Sequence, residues 1–273
     1  MCCACVSARE GELMELLTVQ KANFWKRLSA WLLDTVLAIT LAMGVSVLLS
    51  VFLQYDKINE PLISIYQQYE ETYGVDLGIT ADELSKLTEE ELAAYQVKYD
   101  EAVKAFGEDK EAVAIYNAVQ EKLFTFTLVI LTVSSLVGIM VIHFIVPLFF
   151  KNGKTLGKKV FGLSVIRSHC VKVSNKELFI RTLFGQYTIE TAFPLAMLLY
   201  FGVSLNVGSI TVLLLIALEI GVMLYTKNNS SIHDLLADTV VVDTSSQRVF
   251  DTQEEMQEYI KEQQKIAAEK AEY

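Results

Sequence analysis

The sequence predicts an all-α membrane protein with four membrane-spanning helices, and three observations lead to that prediction. Of its 273 residues 52% are hydrophobic, which is too apolar for an ordinary soluble domain of this length. The apolar residues gather into four long stretches with at most one charge each. A helix rises about 1.5 Å per residue, so about 20 residues cross a hydrocarbon core of about 30 Å. The stretches are 28–53, 123–150, 182–201 and 207–226.

The composition also excludes several classes of protein. A disordered chain would be poor in large apolar residues. A net charge of -10 argues against nucleic-acid binding, which needs a concentrated basic surface. Three of the four cysteines, Cys2, Cys3 and Cys5, lie too close together for a disulfide framework. No second group of ligands follows them at a metal-binding spacing, so we expect neither a metal nor a cofactor.

Two of the four stretches need comment. The first, 28–53, is too long and begins too late for a signal peptide, so we interpret it as a retained span. The third, 182–201, is interrupted by Gly185, Pro194 and several polar residues. It is therefore either a full span or a broken, partly re-entrant helix, and three spans are the alternative to four.

The basic residues of the loops predict the orientation. The segment 54–122 carries 16 acidic and 6 basic residues, whereas 151–181 carries 8 basic residues and 1 acidic residue. Because cytoplasmic loops retain Lys and Arg, the second segment is predicted to lie inside and the first outside. Four spans then place both termini, residues 1–27 and 227–273, in the cytoplasm.

The acidic segment 54–122 is predicted to form a helical insert outside the membrane. Thr80 and Thr88 each precede a Glu by three residues, which is the pattern of a capping box, and apolar residues recur at helical spacing. Gly107 is predicted to break the insert into helices. The insert is either a solvated cap or an acidic funnel that attracts cations. Thr252 is predicted to begin a further polar helix in the tail.

Charged side chains inside the spans are the candidates for chemistry, because a carboxylate at membrane depth costs about 2.5–3.5 kcal/mol on insertion scales. Asp34 lies about two turns into the first span, and Arg27 lies seven residues earlier on nearly the same helix face. Asp34 is either a buried polar group that holds packed helices together or a binding site for a cation or proton. In the second case the positive charge of Arg27 would favour the ionised form of Asp34. Glu190, Glu219 and His143 are the other candidates for an ion or proton site.

The loop 151–159 contains two glycines and four lysines, but it does not match a phosphate-binding P-loop. Only three residues separate its glycines, and Lys158, after the second glycine, is followed by Lys159 and not by Ser or Thr. We interpret Gly153 and Gly157 as turn residues and expect the lysines to contact anionic lipid headgroups. Val160, Leu163 and Ile166 would form the apolar side of an amphipathic segment that follows.

Three pieces of the chain together resemble the RDD family of membrane proteins. Residues 24–34 are similar to the opening pattern of the family, 153–163 to its glycine-rich loop, and 233–242 to its closing His-Asp segment. The resemblance covers residues 22–242, and the long acidic insert departs from compact members. The residues that match the motifs are Arg27, Asp34, Gly153, Thr155, Gly157, Lys158, Arg181, His233 and Asp234.

The resemblance implies a multi-pass protein of a bacterial plasma membrane that transports cations against protons or regulates such transport. The ligand would be a monovalent cation or a proton. Four spans are few for a carrier, so a homo-oligomer is expected, and the small residues Ala38, Ala42 and Ser46 offer a packing seam. The alternative is a non-transport adaptor that binds partners through the insert and the tail.

The sequence gives no reason to expect an enzyme. It holds no Ser nucleophile with an evident base and no HExxH motif. His233 and Asp234 are adjacent, and neighbouring side chains on a helix point to different faces, so we do not interpret them as a catalytic pair.

Overall fold

A computed structural model of the chain describes residues 22–201, 207–226 and 229–271. Cys2, Cys3 and Cys5 lie outside the described residues. The helices in chain order are α1 (Phe24–Phe52), α2 (Glu60–Tyr73), α3 (Ala81–Leu84), α4 (Glu89–Glu108), α5 (Lys110–Met140), α6 (Val146–Phe149), α7 (Leu156–Val160), α8 (Asn175–Ile180), α9 (Phe193–Phe201), α10 (Val207–Tyr225), α11 (Ile232–Leu236) and α12 (Gln253–Ala271).

Shorter elements join these helices. The described residues also contain two π-helical segments, π1 (Val141–Ile145) and π2 (Arg181–Ala192). The 3-10 turns are Tyr55–Asn59 and Lys151–Gly153, and the strands are β1 (Leu163–Arg167) and β2 (Thr239–Asp243). The chain divides into two compact units, one of residues 1–45 and 132–273 and the other of residues 46–131.

The protein is an α-helical membrane protein, as the sequence predicts. Within the described residues, three helices are long and apolar enough to cross a membrane: Phe24–Phe52, Lys110–Phe149 and Val207–Tyr225. The second of these continues from α5 through π1 into α6. The stretch 182–201 is helical throughout, but it is not one of the three, because its first half is the polar π2. The choice between three and four spans therefore stays a prediction.

The unit of residues 46–131 contains the predicted helical insert. Capping boxes start α3 at Thr80 and α4 at Thr88, and both were expected from the sequence. The break between helices lies at Asp109 and not at Gly107, which is part of α4. The break lies at Asp109 because its side chain caps α5: Oδ1 accepts hydrogen bonds from the N–H groups of Glu111 at 2.9 Å and Ala112 at 3.2 Å.

The other unit contains a small antiparallel sheet of β1 and β2, which pairs Leu163 with Asp243 and Arg167 with Thr239. Leu163 and Val165 pack against Ala30 of α1, and Ile166 packs on the other face of the sheet. All three β1 residues are fully buried. The predicted amphipathic segment is therefore wrong, because Leu163 and Ile166 are covered by protein on both faces of a strand.

The small residues of α1 pack within the chain itself. A Cβ on Gly138 of α5 would lie 2.6 Å from the carbonyl oxygen of Ala38 and 3.2 Å from the Cβ of Ala42. Small residues permit such close approach of two helices. This part of the predicted seam thus holds α5 against α1 and is not left open for a second copy.

Candidate functional site

Asp34 is held by the glycine-rich loop and not by Arg27. Its fully buried carboxylate accepts a hydrogen bond from the hydroxyl of Thr155 and another, of 2.7 Å, from the backbone N–H of Gly157. The Nζ of Lys158 lies 3.6 Å from the same carboxylate. The structure thus gives Asp34 the partners that a carboxylate needs when it is removed from water.

Gly157 is required by close packing and not by a special backbone angle. A Cβ at this position would lie 2.9 Å from the carboxyl carbon of Asp34 and still closer to the carbonyl oxygen of Ala30. Gly153, in contrast, has a φ of +58°, which favours glycine, and is a turn residue as predicted. The lysines also differ from the prediction: Lys158 is buried beside Asp34, and Lys159 is exposed. Contact with lipid headgroups stays a prediction for the exposed lysine.

A second network surrounds Asp234 at the start of α11. Arg181 donates from Nε to Oδ1 of Asp234 at 2.9 Å, and its Nη2 forms an ion pair with the same oxygen at 2.9 Å. Arg27 donates to Oδ2 from Nη2 at 3.2 Å. Ser231 and Thr239 donate their hydroxyls at 2.9 and 3.2 Å. Burial alone would raise the pKa of Asp234, but the charges of Arg181 and Arg27 hold it well below its usual range. Asp234 is therefore ionised and fully neutralised.

His233 joins this network to the membrane carboxylates. Its Nε2 lies 2.9 Å from Nη2 of Arg181, and its Nδ1 lies 2.6 Å from Oε1 of Glu190. Because a guanidinium can only donate, the contact with Arg181 assigns Nε2 as an acceptor and places the ring proton on Nδ1. His233 and Asp234 do converge, contrary to the sequence interpretation, because Arg181 contacts both side chains.

Glu219 completes a cluster with Glu190 and His233, which we call the Glu–His cluster. One carboxylate oxygen of each Glu and one ring nitrogen of His233 all lie within 4.8 Å of one another. The backbone N–H of Ile232 donates to Glu219, and that of His233 donates to Glu190, each at 3.3 Å. The start of α11 is thereby tied to both carboxylates.

The π-helical segment π2 shapes this cluster. Gly185 lets α11 approach, because a Cβ there would lie 2.7 Å from the Cα of His233. Gln186 lies four residues before Glu190, and residues at that spacing share roughly one face of the helix. Gln186 is buried, and its Oε1 has no hydrogen-bond partner among the described residues. Helical segments of the π type occur frequently at functional sites.

The candidate residues from the sequence thus separate into groups. Glu190 and Glu219 meet in the Glu–His cluster, whereas Asp34 and Arg27 contact other partners. His143 is buried in π1, and its backbone oxygen accepts from the hydroxyl of Thr182 at 3.1 Å. Its Nδ1 has no partner among the described residues.

These contacts join the three segments that resemble the opening, middle and closing motifs of the RDD family. The sequence model of the RDD family matches residues 21–238. The chain belongs to the RDD family. No curated protein and no solved structure was found to match it. Three of the residues that match the family motifs are split between two networks, Asp34 in one and Arg27 with Asp234 in the other.

Sequence reasoning missed the part that His233 plays beside the carboxylates of this RDD protein. His233 belongs to the closing motif, but its adjacency to Asp234 argues, from the sequence alone, against one site that contains both side chains. The capping pattern of Ser231 with Asp234 was the available signal, because it places His233 in the first turn of a short helix. The sequence does not single out Gln186, because it does not predict the π-helical conformation in which Gln186 and Glu190 share a helix face.

Proposed function

We propose that this RDD-family membrane protein moves cations across the bilayer in exchange for protons, or regulates such movement, and that it is not an enzyme. The observation that carries the proposal is the Glu–His cluster, where carboxylates from the stretches 182–201 and 207–226 meet an imidazole. Ionisable groups within membrane segments are candidates for ion or proton paths. Asp34 supports the proposal less, because its carboxylate already accepts hydrogen bonds from Thr155 and Gly157 of the glycine-rich loop.

Flux through reconstituted protein tests the proposal. Liposomes containing the purified protein and an internal pH dye are given a gradient of Na⁺, K⁺ or Li⁺. We expect a cation-dependent change of internal pH that Glu219→Gln abolishes and Glu258→Gln, in an exposed part of α12, leaves intact. No flux from folded, correctly inserted wild type would exclude autonomous exchange of these ions.

Asp34→Asn distinguishes the two interpretations of Asp34 in the same assay. Because Asp34 is paired with the loop, we expect a lower unfolding temperature and unchanged flux per folded molecule. Lost flux with an unchanged unfolding temperature would instead assign Asp34 to the ion path.

A membrane adaptor is the second candidate function. It is favoured by the helical unit of residues 46–131 and by α12, whose side chains are largely exposed and polar. An adaptor would keep its complexes in Glu219→Gln and lose them when residues 254–271 are removed. Native gel electrophoresis of detergent extracts would distinguish this pattern from that of a transporter.

The setting of the proposed function follows from the loop charges and the family. We place the protein in a bacterial plasma membrane with both termini in the cytoplasm and the acidic insert outside. The exposed Lys159 would contact anionic lipid headgroups there. A homo-oligomer would supply the extra helices that a carrier with few spans needs.

A further inference from the structure

We propose that the Glu–His cluster (Glu190, Glu219, His233) binds a divalent transition-metal ion of the Zn²⁺ class. The inference specifies the ligand of the site used by the proposed function and rests on that proposal for its place in transport. Binding itself is measured without transport, so the two can fail separately.

The donors converge from three elements that are distant in sequence. Glu190 comes from π2, Glu219 from α10 and His233 from α11, and their donor atoms lie within 4.8 Å of one another. Zn²⁺ takes nitrogen and carboxylate ligands at about 2.0–2.2 Å, so two donors of one tetrahedral ion stand about 3.4 Å apart. Nδ1 of His233 and Oε1 of Glu190, now 2.6 Å apart, would have to separate by about 1 Å, and any donor pair near the 4.8 Å limit would have to close by about 1.4 Å.

The kind of donor selects the class of metal. Imidazole nitrogen favours Zn²⁺ and related transition ions, whereas Mg²⁺ and Ca²⁺ favour sites made of oxygen. Three protein ligands leave a fourth position of a tetrahedral ion open to water. An open position permits exchange of the ion, as transport would require.

The local charge also calls for a cation. Arg181 and Arg27 are paired with Asp234, and no Lys or Arg forms an ion pair with Glu190 or Glu219 in the described part of the chain. With His233 neutral, two carboxylates share one site in a region of low dielectric constant. Because Arg181 and Arg27 face only one carboxylate, that of Asp234, one positive charge already offsets part of this negative charge, and a bound cation would offset the rest.

Two buried acceptors at this place lack donors. The Oε2 atom of Glu219 is buried and makes no hydrogen bond to a described residue. The same holds for Oε1 of Gln186, whose side chain is more than nine-tenths buried and which precedes Glu190 by one helical turn. Buried polar atoms without partners are rare in proteins. An ion in the cluster would give Oε2 of Glu219 a partner.

The surroundings of His233 suit a metal ligand. When Nδ1 binds the ion, the ring proton moves to Nε2 and is donated to the hydroxyl of Ser231 at 2.9 Å, with Oδ1 of Asp234 at 3.8 Å. Nη2 of Arg181, now 2.9 Å from Nε2, would then have to turn away from the ring, because both groups would be donors. Histidines that bind metals usually donate their other N–H to a carboxylate or similar oxygen. Arg181 keeps its own bond from Nε to Asp234 throughout.

Calorimetry on the full-length protein in detergent tests the inference. Cys2, Cys3 and Cys5 are replaced by Ser in every sample, because clustered thiols bind Zn²⁺ by themselves. After treatment with a chelator, the protein is titrated with Zn²⁺ in the presence of excess Mg²⁺ and Na⁺. We expect one ion per chain, with affinity lowered about tenfold or more in Glu219→Gln and unchanged in Glu258→Gln.

Glu219→Asp retains the carboxylate and keeps the test valid if the Gln variant fails to fold. We expect Asp to bind more tightly than Gln and less tightly than Glu. Absence of saturable Zn²⁺ binding to folded wild type, or equal affinity in all variants, would overturn the inference. Zn²⁺ binding without flux of Na⁺, K⁺, Li⁺ or Zn²⁺ in the liposome assay would refute transport but support the metal site, and Na⁺ or K⁺ flux without Zn²⁺ binding would do the reverse.

Discussion

Lys158 is a buried cation whose protonation affects stability. Burial, followed by the charge of Arg181, lowers its pKa from 10.5 to about 8, although Asp34 and Asp234 act in the opposite direction. Between these two pH values the unfolded chain binds more protons at this residue than the folded chain. The free energy of unfolding therefore rises with pH over this interval.

We expect this effect in a comparison of wild type with Lys158→Met. From pH 8 to pH 10.5 the wild type should gain up to about 3 kcal/mol relative to the variant, because one pKa unit corresponds to about 1.4 kcal/mol. The measurement is thermal unfolding in detergent at several pH values. Lys159→Met, at the exposed neighbouring position, should follow the wild type. If the unfolding temperatures of Lys158→Met and wild type depended on pH in the same way, the lowered pKa of Lys158 would be contradicted.

A substitution at Gly157 tests only whether there is room for a Cβ atom at this position. Gly157→Ala would place a Cβ against Ala30 and Asp34, so we expect a loss of about 1–3 kcal/mol. Gly44→Ala in α1 is the control, since no atom lies within 4 Å of its added Cβ, and better helix propensity should stabilise it by up to about 1 kcal/mol. Unfolding temperatures in detergent distinguish the two; equal effects would refute close packing at Gly157.

At the scale of elements, Arg181 attaches α11 and β2 to π2. Arg181→Lys keeps the charge but cannot reach Asp234 and His233 with one planar fork, so we expect a loss of about 1–3 kcal/mol. Hydrogen exchange should become faster in residues 232–243. Arg167→Lys, in a partly exposed ion pair with Glu177, should change exchange little. Unchanged exchange in Arg181→Lys would show that other contacts hold these elements.

The elements that the sequence predicts well are those with local signals. Capping boxes at Thr80 and Thr88 depend on residues three apart, and the apolar stretches depend on length and composition. The contacts of Asp34 with Thr155 and of Arg181 with Asp234 span 121 and 53 residues, and spacing along the chain carries no information about them. The family motifs marked these residues without indicating which of them would meet.

At the scale of the whole molecule, contacts bear on the number of spans. Before the first span, Lys26 donates to Asp243 at 2.6 Å, and Arg27 donates to the backbone of Asn229 at 2.5 Å. Both partners follow α10. An odd number of crossings between them would separate these groups by a hydrocarbon core of about 30 Å. We therefore predict four crossings, in which the stretch 182–201 is the additional span and contributes Glu190 to the Glu–His cluster.

Labelling of single cysteines in cells tests this topology. In a background with Cys2, Cys3 and Cys5 replaced by Ser, we expect an impermeant maleimide to label Gln96→Cys in intact cells and Gln257→Cys only after permeabilisation. Both positions are exposed, whereas the remaining Cys170 is buried. Four crossings place α12 on the side of Lys26 and Arg27, and three would place it opposite. Labelling of both variants in intact cells would therefore require three spans, which is incompatible with the contacts of Arg27 beyond α10.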